Sequence, residues 1–177
     1  VNDIETERLR LRLVPLAGLA ASAAKDAEAT QRIIGLNLPD EWFEESWVSE
    51  LRLNQWKNDP EYGPWSIRAI ALKETGQIIG NFNCHDRPRP FQFHDQSGLA
   101  IEMGYTIFER WRRKGFAFEM INAFMAHARA QDVRWVLLSV SPENQPSQAL
   151  AKKLGAEHIG SHIDEKDGPE DIFLIEL

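Results

Sequence analysis

Leucine and arginine alternate without a break from Arg8 to Leu13. Leu9, Leu11 and Leu13 therefore share one face and Arg8, Arg10 and Arg12 the other, the pattern of a half-buried strand, and Pro15 ends it. Residues 16 to about 30 are alanine-rich and predict a helix by propensity alone. Between residues 40 and 58, Phe43, Trp47 and Leu51 recur every four positions. That spacing predicts a second helix with Asp40 as its cap and Trp47 in the core. Residues 65–73 and 77–84 read as a hairpin turning at Glu74, Thr75 and Gly76. The two prolines Pro88 and Pro90 make residues 86–98 read as a loop, and a strand follows over residues 98–108. Phe116, Met120, Phe124 and Ala128, widened by Ile121 and Met125, form the apolar stripe of a long helix. "RWVLLSV" is a buried strand. "PENQPSQALAKKLGA" is a short helix with Glu143 or Asn144 near its cap, Pro146 in its first turn and Gly155 as its stop. Residues 156–164 and 172–177 predict a closing hairpin around "EKDGPED". Antiparallel hairpins mixed with one β–α–β crossover imply an α/β (α+β) fold, a mixed sheet with helices packed on it.

Composition narrows the function. The chain has 177 residues with no repeat or linker, so residues 1–177 are expected to form a single domain. A net charge of −7 and a pI near 5.3 repel a phosphate polymer, which argues against nucleic acid as a partner. The lone cysteine, Cys84, excludes an internal disulfide and fits a reducing compartment. No apolar run approaches the roughly 20 residues needed to span a bilayer. The polar, acidic start lacks the form of a signal peptide. The expectation is a soluble, cytoplasmic protein without a membrane partner.

Against that acidic background stands "RWRRKGFAFE", with Arg110, Arg112, Arg113 and Lys114 clustered just before a glycine. The cluster joins a strand to the N-terminus of the long helix, where unpaired N–H groups and the positive dipole end favour an anion. Gly115 lets the backbone approach that anion and Ala117 keeps the next position small. A small molecule carrying a diphosphate suits this loop better than a polymer does. The alternative is a solvated cationic turn. A nucleotide-binding module is disfavoured, since neither a P-loop nor a dinucleotide fingerprint is present.

"RRKGFA" matches the R/Q-x-x-G-x-G/A coenzyme A signature of the GNAT acyltransferase superfamily. "IETERLRLRLVPL", "EMGYTIFERWRRKGFAFEMINAFMAHA" and "LLSVSPENQPSQALAKKLGA" resemble, in order, the first strand, the fourth strand with its phosphate loop and helix, and the fifth strand with its Asn-x-x-Ser segment. The branch resembled acetylates ribosomal-protein N-termini and small amines, and the likeness is weakest over residues 30–64. It implies a mostly antiparallel sheet of seven strands, splayed between the fourth and fifth, with about four helices. It also implies acetyl-CoA as cosubstrate, with its pantetheine arm against the backbone of Tyr105, Thr106 and Ile107. The diphosphate would rest on Arg112, Arg113, Lys114, Gly115, Phe116 and Ala117. Asn144 would hold the pantetheine side, and Ser147 would stand near the thioester sulfur.

Acyl transfer to a primary amine needs a base, a polarised carbonyl and a proton for the thiolate. Glu102, on the strand just before the loop, is the candidate base; its alternative is a carboxylate that orders a loop. A backbone N–H near residues 105–107 would polarise the carbonyl. Ser147 would assist the thiolate, which needs little help because a free thiol has a pKa of about 8.5. Many members of the family carry a tyrosine acid where this chain has Ala151, and an aromatic where it has Ala156, so that acid is excluded here. Cys84 with His85 as its base is geometrically poor, because neighbours on a strand face opposite sides. His85, Asp86, His94 and Asp95 lack metal-ligand spacing, so no metal is expected. Trp42, Trp56 and the loop 86–98 are candidates for the acceptor cleft. The expected activity is direct transfer in a ternary complex by a monomer or homodimer. The rivals are a longer acyl-CoA or a non-catalytic coenzyme A binder.

Overall fold

A computed structural model describes residues 2–164 and 168–177. Contacts divide the chain into two units. The first comprises Val1–Cys84 and Tyr105–Ala123, and the second His85–Gly104 and Phe124–Leu177. Nine strands and five α-helices are present among the described residues, against the seven and about four expected.

In the first unit, β1 (Ile4–Glu5), β2 (Leu9–Leu13), β3 (Arg68–Leu72) and β4 (Ile78–Cys84) form successive antiparallel pairs. The alternation in β2 is realised: Leu9 and Leu11 are fully buried, while Arg10 and Arg12 reach Glu5 and Asp3 on the other face. The alanine-rich stretch is two helices, α1 (Leu16–Ala23) and α2 (Ala27–Ile34), rather than one. Lys25 adopts φ 56°, which ends α1, and the Asp26 carboxylate accepts from Ala29 N at 2.9 Å to start α2. Propensity summed over alanines does not register one left-handed residue followed by a cap.

The next segment also corrects the sequence reading. Residues Asp40–Phe43 form a 3-10 turn without a side-chain cap from Asp40, and α3 begins only at Ser46 (Ser46–Asn58). Its buried face is Ser49, Arg52 and Leu53, so Trp47 and Leu51 lie 44% and 46% exposed. Trp42, expected beside a cleft, is buried, and its indole N–H donates to Ser22 Oγ, itself 2.9 Å from Ser49 Oγ. A buried indole needs such a partner. Trp56 packs at the edge of the same core, with Val14, Leu19, Ile34, Leu53 and Ile78 at its centre.

The second unit contains β5 (Arg89–Phe93), the first nine residues of β6 (Gln96–Ile107), β7 (Val133–Val140), β8 (Glu157–Asp164) and β9 (Gly168–Glu176). The supposed loop 86–98 is largely a hairpin, with β5 antiparallel to β6. Phe91 and Phe93 alternate with Pro90 and Gln92, and the Phe91 ring meets Trp135 edge-on at 5.7 Å. Prolines are tolerated on such an edge strand, which is why they misled. β6 and β7 pair in parallel from Leu99–Val133 to Glu102–Leu137, β7 pairs antiparallel with β9, and β9 with β8. The closing hairpin is present, but β9 begins at Gly168 rather than at the expected residue 172; residues 165–167 lie outside the described residues. Helix α4 (Phe116–Arg129) links β6 to β7 and carries the buried stripe Phe116, Met120, Ile121, Phe124 and Ala128. Helix α5 (Gln145–Lys153) follows β7.

Candidate active site

The predicted site residues divide between the two units. Tyr105, Thr106, Ile107 and the loop 112–117 belong to the first, and Glu102, Asn144 and Ser147 to the second.

In the first unit, β6 ends at Ile107, a 3-10 turn spans Glu109–Trp111, and α4 starts at Phe116. Residues 112–115 between them are exposed, with positive φ at Arg113 (60°) and Gly115 (82°). Left-handed backbone at two positions turns the chain tightly into the helix, and it costs Gly115 nothing. The first-turn N–H groups of α4 are thereby presented at an exposed, cationic loop. Arg112 is partly committed, because its Nε donates to the Ile107 carbonyl at 2.8 Å. Lys114 Nζ lies 4.7 Å from the Trp111 ring centre, a cation–π contact that holds it at the loop.

The loop has a brace that the sequence reading passed over. Arg8, counted only as an outward strand residue, donates from Nη1 to the Lys114 carbonyl at 3.1 Å and stacks 4.4 Å over Phe116. Its Nε and Nη2 also meet Glu119 Oε2, at 2.7 and 2.6 Å. Glu119 further accepts from Thr6 Oγ1 and Arg8 N. Burial pushes its carboxyl up, yet those donors together hold it below the ordinary range. The arginine lies just before β2, and its place in the Leu/Arg alternation carries no sign of this contact, which spans over a hundred residues.

In the second unit, Glu102 faces away from the buried Ile101 and Met103. One of its oxygens accepts from Ser139 Oγ at 2.6 Å and lies 3.2 Å from His85 Nδ1. Burial raises the Glu102 carboxyl, but the His85 contact, the Ser139 hydroxyl and the charge of His162 outweigh it, so the net shift is downward. Glu102 is therefore ionised at neutral pH and is a weak proton acceptor by itself. Sequence reasoning met His85 only as a partner for Cys84 or a metal. Cys84 is fully buried, and burial pushes its thiol up, against the pull of Arg68 and Arg52. A protonated, enclosed thiol is inert. No cluster of three metal-binding side chains occurs among the described residues.

Asn144 and Ser147 are brought together: the Asn144 side chain caps α5 by accepting from Ser147 N at 3.2 Å. Ala151, at the position where a tyrosine acid would stand, is buried. No helix among the described residues is long and apolar enough to cross a membrane.

The chain matches the model of the acetyltransferase (GNAT) domain over residues 8–157. It is 29% identical over 90 residues to an L-2,4-diaminobutyric acid acetyltransferase of Shouchella clausii, covering 50% of this chain and 47% of that protein. A protein of the same name from Vibrio parahaemolyticus is 25% identical over 107 residues, 58% of this chain and 56% of that one. The chain thus spans about half the length of the relatives it matches. Among solved structures, a ribosomal-protein-S5-alanine acetyltransferase from Vibrio fischeri superposes with a TM-score of 0.67, 17% identity and coverage of 99% and 97%. That likeness concerns the fold.

Proposed function

Because the chain belongs to the GNAT acetyltransferase family, we propose that it transfers the acetyl group of acetyl-CoA to a primary amine, directly, in a ternary complex. Residues 1–177 act as one catalytic domain in this reading. The observation that carries it is the loop 112–115, where left-handed Arg113 and Gly115 lead straight into the N-terminus of α4 amid exposed cations. Such a turn offers several N–H donors to one anion, which suits a diphosphate.

The roles follow from that seat. The coenzyme diphosphate is assigned to the amides of residues 112–117 with Arg113 and Lys114 supplying charge, and the pantetheine to the backbone of residues 105–107. Asn144 holds the arm and Ser147 assists the departing thiolate. The acceptor is a primary amine on a small molecule, peptide or protein N-terminus. The relatives' names, a diamino acid acetyltransferase and a ribosomal-protein alanine acetyltransferase, support an amine acceptor. No metal enters the chemistry assigned here.

Thermal melting tests the seat and thiol release tests the reaction. Acetyl-CoA at about 100 times its Kd is expected to raise Tm by about 5–10 °C, well beyond ATP or NAD. Thiol release should then appear with at least one class in a panel of diamino acids, monoamines and N-terminal peptides. An unmoved Tm overturns the coenzyme seat; a raised Tm without thiol release from any amine overturns the transfer.

A further inference from the structure

We propose that His85 takes the proton of the acceptor amine and that Glu102 positions it for the task. The inference rests on the acetyl-transfer reading above and changes the part played by Glu102 from base to orienting carboxylate.

The geometry begins with alternation. Cys84, the last residue of β4, is buried, and the next residue, His85, is exposed. His85 N donates to the Glu102 carbonyl at 2.9 Å, which pins the histidine backbone beside β6. The ring then places Nδ1 3.2 Å from Glu102 Oε1. Ser139, on β7, holds the same carboxylate oxygen at 2.6 Å. A carboxylate kept ionised beside Nδ1 selects the tautomer with hydrogen on Nδ1, which leaves the lone pair of the neutral ring on Nε2.

Gly104 supplies the second observation. A Cβ added there would meet His85 Nε2 at 3.1 Å, tighter than ordinary van der Waals contact. The proton-accepting end of the ring therefore lies against β6 at the residue before Tyr105, where the stretch assigned to the thioester arm begins. Exposures of 43% for the His85 side chain and 33% for Glu102 leave the pair reachable by a substrate. Among the described residues, His162 of β8 also bears on Glu102 through its charge, and its own Nε2 lies 3.5 Å from Glu170.

The step balances. An ammonium proton passes to Nε2, giving a neutral amine and an imidazolium held by the Glu102 carboxylate. The amine nitrogen forms the C–N bond to the thioester carbonyl, the C–S bond breaks, and the second proton shed by the nitrogen as it becomes an amide passes to the departing thiolate. The imidazolium returns its proton to solvent, so each turnover yields amide, thiol and one proton.

The test uses the full chain, acetyl-CoA and the best amine from the panel. His85→Gln is expected to lower kcat/KM by about 10²–10³-fold and to abolish its acid limb, with the Kd of acetyl-CoA within about twofold of wild type. Glu102→Gln is expected to keep part of the rate and to move that limb to lower pH, because the charge favouring imidazolium is gone. A residue of merely structural importance would not displace the limb. Nitrogen NMR of the wild-type chain should find His85 protonated at Nδ1 when neutral, whatever the variants do. An Nε2–H tautomer, or a His85→Gln enzyme with rate and acid limb intact, overturns the inference alone. A wild-type chain that binds acetyl-CoA but releases no thiol to any amine overturns the transfer reading and this role with it.

Discussion

Two carboxylates in this molecule have nearly the same surroundings and different prospects. Glu119 of the first unit accepts a hydrogen bond from the Thr6 hydroxyl at 2.6 Å and faces a basic side chain, Arg8. Glu102 of the second accepts one from Ser139 at 2.6 Å and faces His85. Each is raised by burial and lowered further by its donors. The difference lies in the partner. A guanidinium stays charged at any pH the protein meets, so Arg8 can only brace, and it braces the loop that leads into α4. An imidazole has two ring nitrogens and can hold or release a proton at either, so the pair with His85 is the one proposed to move a proton. The same arrangement gives a fixed strut in one place and, in the role proposed for His85, a proton-transfer pair in the other.

The sharpest way to test the strut side is to disturb what it supports. Gly115→Glu forces a side chain onto a backbone at φ 82° and sets a negative charge where the diphosphate is assigned. Coenzyme affinity should fall by at least about 100-fold while the far-ultraviolet spectrum stays native. Calorimetry with unchanged affinity would remove the loop from the site. Next in size, Ser147→Ala should reduce kcat about tenfold and leave the Kd of acetyl-CoA alone, a modest effect because the thiolate leaves readily. An unaltered turnover takes Ser147 out of the chemistry.

Arg8→Ala should weaken coenzyme binding several-fold and cost about 1 kcal/mol, or about 2–4 °C in Tm, since the arginine is half exposed. Arg8→Lys should not restore either property, because an ammonium cannot bind Glu119 and the Lys114 carbonyl as a fork. A full rescue by lysine would mean that charge alone matters there. The smallest effect concerns pH. Because the folded-state carboxyl of Glu119 is held down, its stabilisation is complete above the unfolded value of about 4.3 and is lost as pH falls through the folded value. The gap in urea midpoint between wild type and Glu119→Gln should therefore close as the solution is acidified below about pH 4. A gap that widens there would contradict the ion pair. Glu119→Gln should also leave the acid limb of kcat/KM in place, unlike Glu102→Gln.

Much of this architecture was legible along the chain. The alternation of β2, the stripe of α4, the hairpin of β3 and β4 and the stop at Gly155 follow from local rules. The cationic turn before α4 was legible too, since strand, glycine and helix start are consecutive. Other elements were hidden where local signals conflict with packing. Pro88 and Pro90 masked β5, whose phenylalanines pack beside Trp135. The Phe43–Trp47–Leu51 spacing suggested a buried face, but a 3-10 turn intervenes and rotates α3 onto Ser49, Arg52 and Leu53. Trp42 is inside because Ser22, twenty residues earlier, offers its indole a partner.

By itself, then, the order of residues determined most of the elements and the cationic turn before α4, because periodicity, glycine and charge act over a few neighbouring positions. Only tertiary structure decided which groups share a proton or a strut. Arg8 with Glu119 and His85 with Glu102 are pairs drawn from separate parts of the chain. What brings them within 3 Å or so is the register of the sheet and the packing of helices, and these are set by the whole chain at once.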